Sequence, residues 1–316
     1  MELQLEGLSK TYGTVQALRK VTYTFKPGIY GILGANGAGK STMINLITDN
    51  VSRDNGSDGG RILYDGEDIL KLGKRFRAIV GYMPQQQGFY EDFSPKAFLK
   101  YMAEVKGLKG KNAEGKTVNQ QIDELLEVVN LTGVAHKKIG GFSGGMKQRV
   151  VIAIALACRP KMIIADEPTT ALDVTIQAQV MNLIKGLKEK LGTSMILITH
   201  DLGIVAEICD KVAIMYAGQV VEYAEVSKIY HNPCHPYTKG LFNSIPKLDT
   251  EEDWLEEIHG LPPEPTERID GCSFNPRCPN CMEICKHKKP EITVVNGEHY
   301  TRCFLYEKQE EVNKDE

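Results

Sequence analysis

The sequence has no long apolar run and no excess of basic residues. Its longest unbroken apolar stretch is nine residues, from Val150 to Cys158, whereas a helix that crosses a bilayer needs roughly twenty. The first ten residues, MELQLEGLSK, contain no apolar core of a secretory signal. With 38 Lys and Arg against 41 Asp and Glu, the chain also lacks the basic surplus of a duplex-binding protein. These absences predict a cytoplasmic protein with no nucleic-acid partner, which serves a membrane only through other proteins.

The overall composition is that of a packed globular protein. Hydrophobic residues make up 42% of the chain and charged residues 25%, which excludes extensive disorder. The 316 residues leave room for one large domain and a smaller one, and no internal repeat is visible. Polar segments rich in proline begin near residue 231. We therefore predict a first domain at 1–230 and an extension at 231–316.

A glycine loop is the first motif that carries chemistry. Residues 34–42, GANGAGKST, match the phosphate-binding pattern G-x-x-x-x-G-K-[ST]. A short apolar strand (28–34) precedes the loop and a helix from Thr42 is predicted to follow, which is the context that separates this motif from a chance glycine-rich turn. Small residues let successive backbone N–H groups face phosphates, Lys40 adds a positive charge, and the Ser41 hydroxyl suits Mg²⁺. The nucleotide-binding residues predicted here are Gly34, Asn36, Gly37, Ala38, Gly39, Lys40, Ser41 and Thr42.

Two carboxylates end a later apolar strand, MIIADEP. Asp166 is placed to hold Mg²⁺ at the phosphate site, and Glu167 is placed to polarise the attacking water as a general base. A pair of acidic residues often marks nothing more than a strand end. Its distance downstream of Lys40 and the nearby string SGGMKQ make the catalytic interpretation the stronger one.

The string SGGMKQ opens a predicted helix near Met146. A helix N-terminus with free N–H groups attracts anions, so Ser143, Gly144 and Gly145 are predicted to bind phosphate. An ordinary serine N-cap would explain the serine but not both glycines.

The order GANGAGKST, SGGMKQ, MIIADEP and LITHD resembles the ATP-binding cassette of ABC transporters. The resemblance implies an α/β P-loop NTPase fold with a mixed-sheet core, an antiparallel β subdomain and a helical subdomain at about 88–158. It implies hydrolysis of ATP with Mg²⁺. It also implies a dimer in which Ser143, Gly144 and Gly145 of one subunit reach the γ-phosphate held by the other.

Four single residues take roles from the same resemblance. Gln85 in VGYMPQ resembles the glutamine that touches Mg²⁺ and water, and His200 resembles the histidine that contacts the γ-phosphate. Asp173 in TTALD resembles the aspartate that communicates across the dimer. Tyr12 resembles the aromatic residue that stacks on adenine, although a core or surface tyrosine is the competing interpretation.

The two halves of the chain resemble different branches of that family. From about Arg149 onward, ADEPTTALDVTIQAQVM, NPCHPYTKGLFNSIP, GLPPEP and GCSFNPRCP resemble the ATPases of oligopeptide and dipeptide importers. The first half resembles ATPases of drug, lantibiotic and polysaccharide-type exporters. Importers more often show a longer segment that ends in a phenylalanine–glutamine pair where this chain has Pro84 and Gln85, and they tend to have a leucine where Phe142 stands. The long extension favours peptide import, and the alternative is an exporter ATPase. Import implies a second ATPase subunit, two permeases and a peptide-binding protein, with this chain peripheral on the inner face of the cell membrane.

Five of the eight cysteines are crowded into the extension. The spacing of Cys272, Cys278, Cys285 and Cys303 resembles the four-cysteine pattern in the C-terminal tail of peptide-importer ATPases. In that subfamily the pattern is associated with a [4Fe–4S] cluster. Four thiolates suit either an iron–sulfur cluster or zinc, and Cys281 adds a C-x-x-C pair typical of zinc. Free thiols and an iron–sulfur redox-sensing ATPase are the remaining alternatives.

Soluble cassette proteins of DNA repair or translation form a competing class. Repair types carry a long coiled coil between the two phosphate motifs, but Ser143 lies only 103 positions after Lys40 and no sustained heptads occur between them. Translation types carry two cassettes, and this chain has one.

Overall fold

The computed structural model describes residues 1–86, 88–170, 172–244, 257–264, 266–267 and 269–307. Within them the chain forms two sheets and eleven α-helices. The strands are β1 (Leu3–Tyr12), β2 (Val15–Phe25), β3 (Ile29–Leu33), β4 (Arg61–Tyr64), β5 (Glu67–Asp68), β6 (Val80–Met83), β7 (Met162–Asp166), β8 (Ser194–Ile198), β9 (Lys211–Tyr216), β10 (Gln219–Glu225), β11 (Thr293–Asn296) and β12 (His299–Thr301). The helices are α1 (Lys40–Ile47), α2 (Ile69–Leu72), α3 (Lys74–Ile79), α4 (Pro95–Val105), α5 (Val118–Val128), α6 (Gly144–Leu156), α7 (Val174–Leu191), α8 (Leu202–Ile208), α9 (Val226–His231), α10 (Pro236–Asn243) and α11 (Glu283–His287).

The main sheet has eight strands in the order β11-β12-β10-β9-β3-β8-β7-β6. Strands β9, β3, β8, β7 and β6 are parallel, whereas β10, β12 and β11 add antiparallel strands at one end. Every residue of β3, β7 and β8 is buried, as expected of parallel strands covered on both faces. Because parallel strands end at the same edge, Leu33 and Asp166 deliver the glycine loop and the carboxylates to one edge of the sheet.

The amino-terminal segment forms an antiparallel hairpin, as the antiparallel β subdomain implied by the resemblance requires. Strand β1 pairs with β2, with Leu3 opposite Phe25 and Tyr12 opposite Val15. Strands β4 and β5 complete a second sheet in the order β2-β1-β4-β5. Its apolar face packs in one cluster with α1 and the main sheet.

The segment from 95 to 158 is mostly helical. Helix α4 begins after the N-cap Ser94, and α5 begins at a capping box formed by Thr117 and Gln120. Helix α6 is buried at every position from Val150 to Leu156. The apolar stretch that cannot span a bilayer is thus a core helix, and no helix among the described residues is both long and apolar enough to cross a membrane.

Residues after 231 pack against the first part of the chain. The boundary predicted at 231 falls at the end of α9. Strand β12 pairs with β10, so the extension lengthens the main sheet. Tyr237 and Phe274 of the extension share a buried cluster with Tyr216 of β9. The extension therefore shares its core with the sheet that carries the glycine loop.

Candidate nucleotide-binding site

The glycine loop joins the end of β3 to α1, which begins at Lys40, two residues earlier than predicted. Gly34 has a φ of 151°, and a Cβ there would lie 2.3 Å from the Met215 carbonyl oxygen. Gly39 has a φ of 96°, and its Cβ would lie 2.5 Å from the Ala17 carbonyl oxygen. Only glycine fits either position, since an L-residue would clash with backbone and be strained. Neighbouring strands thus dictate the shape of the loop.

Lys40 is folded back over this loop. Its Nζ donates hydrogen bonds to the carbonyl oxygens of Gly34 at 2.7 Å and Ala35 at 3.0 Å. Burial lowers the pKa of Lys40, and the carboxylates of Glu167 and Asp166 act in the opposite direction. The ammonium group therefore lies between the loop and the two acidic residues, where a bound triphosphate needs a positive charge.

The two carboxylates at the end of β7 have different surroundings. Asp166 is buried, and its burial, together with neighbouring Glu167, raises its pKa, whereas Lys40 opposes the shift. Glu167 has a positive φ of 47°, a conformation that L-residues rarely adopt. This turn directs the two consecutive side chains differently, and strained backbone of this kind clusters at functional sites.

Glu167 is the centre of a polar network from three parts of the chain. Gln85 Nε2 donates to Glu167 Oε2 at 2.8 Å, and Thr170 Oγ1 donates to the same oxygen at 3.0 Å. His200 Nδ1 lies 3.6 Å from Glu167 Oε1, and its side chain is largely exposed. The structure therefore brings together the three predicted catalytic residues and adds Thr170, which the sequence analysis missed. The only sequence signal for Thr170 is a hydroxyl three positions after a carboxylate.

A cavity of about 330 Å³ lies over the glycine loop. It is lined by predicted residues of four segments, which are Tyr12, Asn36, Gly37, Ala38, Gly39, Lys40, Ser41, Thr42, Gln85 and Glu167. Tyr12 is 44% exposed, as a ring available for stacking would be. The sequence analysis did not foresee the wall contributed by the extension, which consists of Pro263, Glu264, Glu267 and Ile269.

The predicted phosphate-binding residues of α6 lie apart from this cavity. Ser143 is exposed and caps α6 by accepting a hydrogen bond from the Met146 N–H at 3.3 Å. A Cβ on Gly145 would lie 2.4 Å from the Ile176 side chain on α7, so packing explains that glycine. Among the described residues that line the cavity, none comes from positions 143–145. Asp173 is likewise exposed, and it caps α7 through the Ile176 N–H.

The four cysteines of the predicted metal site converge in the extension. Cys272, Cys278, Cys285 and Cys303 all line one small cavity, and all are free thiols. Burial raises the pKa of Cys272, and it raises the pKa of Cys278 and Cys303 to about 11. Cys281 is exposed and is not among the residues that line this cavity.

A second group of side chains that could ligate a metal is already engaged in hydrogen bonds. Glu222, Cys234 and His299 are buried, and they are the one such group among the described residues whose ligand atoms lie within 4.8 Å of one another. The Glu222 carboxylate accepts hydrogen bonds from the backbone N–H groups of Cys234 and His235, and His299 Nε2 lies 2.7 Å from Glu222 Oε1. This group therefore ties β10 to β12 and to the loop before α10.

Comparisons with known proteins cover both parts of the chain. Residues 18–170 match the family model for ABC transporters, and residues 221–285 match that for the C-terminal region of oligopeptide/dipeptide transporters. The chain is 38% identical to the oligopeptide transport ATP-binding protein OppD of Salmonella typhimurium, over 96% of this chain and 93% of that protein. It is 39% identical to the dipeptide transport ATP-binding protein DppD of Bacillus subtilis, over 95% of this chain and 92% of that protein.

A solved structure shares the fold of the first part. It is the dimeric post-hydrolysis state of an ATP-binding cassette bound to ADP and Pi, with a TM-score of 0.61 and 27% identity. The match covers 71% of this chain and 98% of that one. The predicted cassette fold is therefore confirmed.

Proposed function

This chain belongs to the ABC transporter ATP-binding subunits of the oligopeptide and dipeptide type, and from that premise we propose that it hydrolyses ATP to drive the import of peptides. The observation that carries the proposal is the network around Glu167, because it places a carboxylate, a glutamine and a histidine beside the glycine loop. An ATP-binding protein without turnover would not need that arrangement.

The proposed roles follow from the positions of the side chains. The N–H groups of the glycine loop and Lys40 hold the phosphates, while Ser41, Gln85 and Asp166 bind Mg²⁺, which supplies charge neutralisation. Glu167 accepts a proton from the attacking water. Gln85 and Thr170 both donate to Oε2, which leaves Oε1, with His200 Nδ1 3.6 Å away, to accept from that water.

The exposed start of α6 supports a proposed dimer. Ser143 and Gly144 are exposed and lie away from the cavity of their own chain, while a helix N-terminus favours an anion. We infer that they meet the γ-phosphate held by a second ATPase subunit, and that the exposed Asp173 lies at the same interface. A related cassette bound to ADP and Pi is dimeric, which supports a dimer for this chain.

Peptide import is favoured over export by the extent of the match. The peptide transport relatives align along 95–96% of this chain, so the likeness includes the half that resembles exporter ATPases. We therefore place the chain with two permeases and a peptide-binding protein, peripheral on the inner face of the membrane.

Transport in reconstituted vesicles tests this proposal. The chain is assembled with a second ATPase subunit, two peptide permeases and a peptide-binding protein, with ATP on the side of the ATPase and a labelled dipeptide and pentapeptide on the opposite side. Import predicts ATP-dependent movement of peptide toward the ATP side, which Glu167→Gln abolishes. Movement away from the ATP side would establish an exporter instead.

We propose that the four converging cysteines hold a [4Fe–4S] cluster. Zinc binds thiolates at about 2.3 Å, which places four sulfurs roughly 4 Å apart. Four thiolates also ligate an iron–sulfur cluster, and the resemblance of the cysteine spacing to the tails of peptide-importer ATPases favours the cluster over zinc. A metal here supplies folding energy to a segment with little core of its own.

Metal content tests the ligand assignment. Cys272→Ser is expected to lose iron from the purified protein, whereas Cys281→Ser retains it, since Cys281 does not line the cavity. Equal iron in both variants would reject the assignment, and zinc in place of iron would select the alternative metal. An ATPase rate that followed the redox state of the cluster would instead favour a sensor.

A further inference from the structure

One hydrogen bond joins the extension to the glycine loop. The Tyr237 hydroxyl oxygen accepts from the Ala35 N–H at 2.9 Å, although 202 positions separate the two residues. Ala35 is the second residue of the loop, and its carbonyl oxygen already accepts from Lys40. The first peptide units of the phosphate-binding loop are therefore held from both sides, and one of those sides belongs to the extension.

Tyr237 is itself held rigidly. It is 1% exposed and lies in the first turn of α10, which His235 caps by accepting the Tyr237 N–H at 3.0 Å. The Glu222 carboxylate fixes the preceding loop through the N–H groups of Cys234 and His235. A buried side chain fixed at both ends can hold its hydroxyl at one point, which is what positioning a loop requires.

The same tyrosine packs against the cysteine loop, defined here as residues 272–278. The Phe274 ring lies between two of the four cysteines in sequence, and its centroid is 5.5 Å from that of Tyr237 and 5.2 Å from that of Tyr216. Phe274 is buried and lines the cavity of the cysteines. One side chain thus contacts both the thiols and the residue that holds the glycine loop.

A second route leaves the cysteine loop through Arg277. Its guanidinium donates to the carbonyl oxygens of Ile258 at 3.1 Å, His259 at 3.0 Å and Gly260 at 2.8 Å. The chain then continues to Pro263, Glu264, Glu267 and Ile269, which line the nucleotide cavity. The cysteine loop is therefore connected to the nucleotide cavity in two ways. Phe274 packs on Tyr237, which bonds the glycine loop, and Arg277 holds the segment that leads into the cavity wall.

We propose that the cysteine loop positions the nucleotide site, so that ATP affinity depends on whether the four thiols are tied together. This inference rests on the proposed nucleotide and metal sites. Loss of the metal removes the thiol links from residues 272–278 to Cys285 and Cys303. Within the described part of the chain, only the hydrogen bonds of the Cys272 N–H and the Asn275 side chain to the Cys285 carbonyl oxygen then tie the loop to Cys285, so Phe274 and Arg277 are held less firmly. Tyr237 and Arg277 are positioning residues in this scheme, because they act through Ala35 and through residues 258–260.

Binding of MgATP to the full chain, measured by calorimetry, tests the first route. Tyr237→Phe removes one oxygen atom and is expected to raise the Kd for MgATP by roughly three- to tenfold, the size expected when a half-buried N–H loses its acceptor. The rate at saturating ATP stays within about twofold, since Glu167 and its partners are untouched. Tyr230→Phe is the matched control, because its hydroxyl bonds the Leu202 carbonyl, away from the glycine loop, and its Kd stays at the wild-type value.

The second route has its own variant. Arg277→Lys keeps the charge but loses the guanidinium fork that holds three carbonyl oxygens. It is expected to raise the Kd for MgATP without loss of iron or zinc. An unchanged Kd would remove the segment 263–269 from the coupling.

A double-mutant cycle tests whether the thiols act through Tyr237. Cys278→Ser is expected to lose metal and to raise the Kd, and adding Tyr237→Phe raises it little further, because both changes release the same contact. Fully additive effects, or a Cys278→Ser chain without metal that binds MgATP as tightly as the wild type, overturn the inference. If the wild-type chain itself fails to bind MgATP, the proposed function fails instead. Circular dichroism of each variant confirms that the fold is retained.

Discussion

Replacing Glu167 by glutamine tests the catalytic base with a minimal change of shape. Glu167 Oε2 accepts from Gln85 Nε2 and Thr170 Oγ1, and a glutamine amide oxygen at the same point can accept both bonds. The amide nitrogen then takes the place of Oε1, beside His200. The variant is therefore expected to fold normally, with a free energy of unfolding within about 1 kcal/mol of the wild type.

The magnitude of the catalytic loss follows from the role of a general base. A positioned base contributes roughly 10²- to 10⁴-fold to a rate, which is about 3 to 5 kcal/mol of transition-state stabilisation. Binding of MgATP should change little, because Lys40 and the N–H groups of the glycine loop remain. Since nucleotide is bound but not hydrolysed, the proposed dimer should persist with ATP.

Steady-state ATPase rates, calorimetric Kd values and size-exclusion chromatography with ATP measure these three effects. Glu207→Gln is the matched control, since it removes an exposed carboxylate from α8. A Glu167→Gln rate within threefold of the wild type would remove Glu167 from the role of base. A rate loss accompanied by an equal loss of ATP binding would place Glu167 in binding rather than in catalysis.

Two further predictions concern the walls of the cavity. Gly39→Ala should lower the free energy of unfolding by about 2 kcal/mol or more, because its Cβ would lie 2.5 Å from the Ala17 carbonyl oxygen at a φ of 96°. Denaturant unfolding measures this loss. Gly133→Ala is the control, because Gly133 is exposed and its Cβ would meet no atom within 4 Å. Tyr12→Ala should raise the Kd for MgATP by roughly five- to tenfold, because a ring that stacks on the adenine base is lost. The ATPase rate at saturating ATP should stay unchanged. An unaltered Kd would show that Tyr12 is a surface residue with no role in binding.

The catalytic motifs are readable in sequence because each occupies one short stretch. A buried strand followed by small residues and a lysine already contains the geometry of the glycine loop, since β3, the loop and α1 are contiguous from Ile29 to Ile47. Asp166 and Glu167 are visible for the same reason, at the end of an apolar strand. These motifs are therefore recognisable from local sequence, although backbone of distant strands, at Ala17 and Met215, also confines the glycine loop.

Other features of the site depend on which segments the fold brings together. The packing of Gly145 against Ile176 appears only when α6 and α7 are side by side. The wall at 263–269 and the bond from Ala35 to Tyr237 join parts of the chain more than two hundred positions apart. Neither segment carries a phosphate-binding pattern of its own, so no motif announces these contacts.

The sequence by itself determined the chemistry of this protein, because phosphate binding and proton transfer require certain side chains at fixed, short spacings. It also indicated the strands that end at the glycine loop and at Asp166, together with the helices that begin near Thr42 and Met146, because burial imposes periods of two and of about 3.6 residues. Only the tertiary structure decided that the cysteine-rich extension shares a core with the glycine loop. The order of strands in the main sheet and the burial of Tyr237 and Phe274 place them together, and such long-range contacts follow from how the whole chain packs.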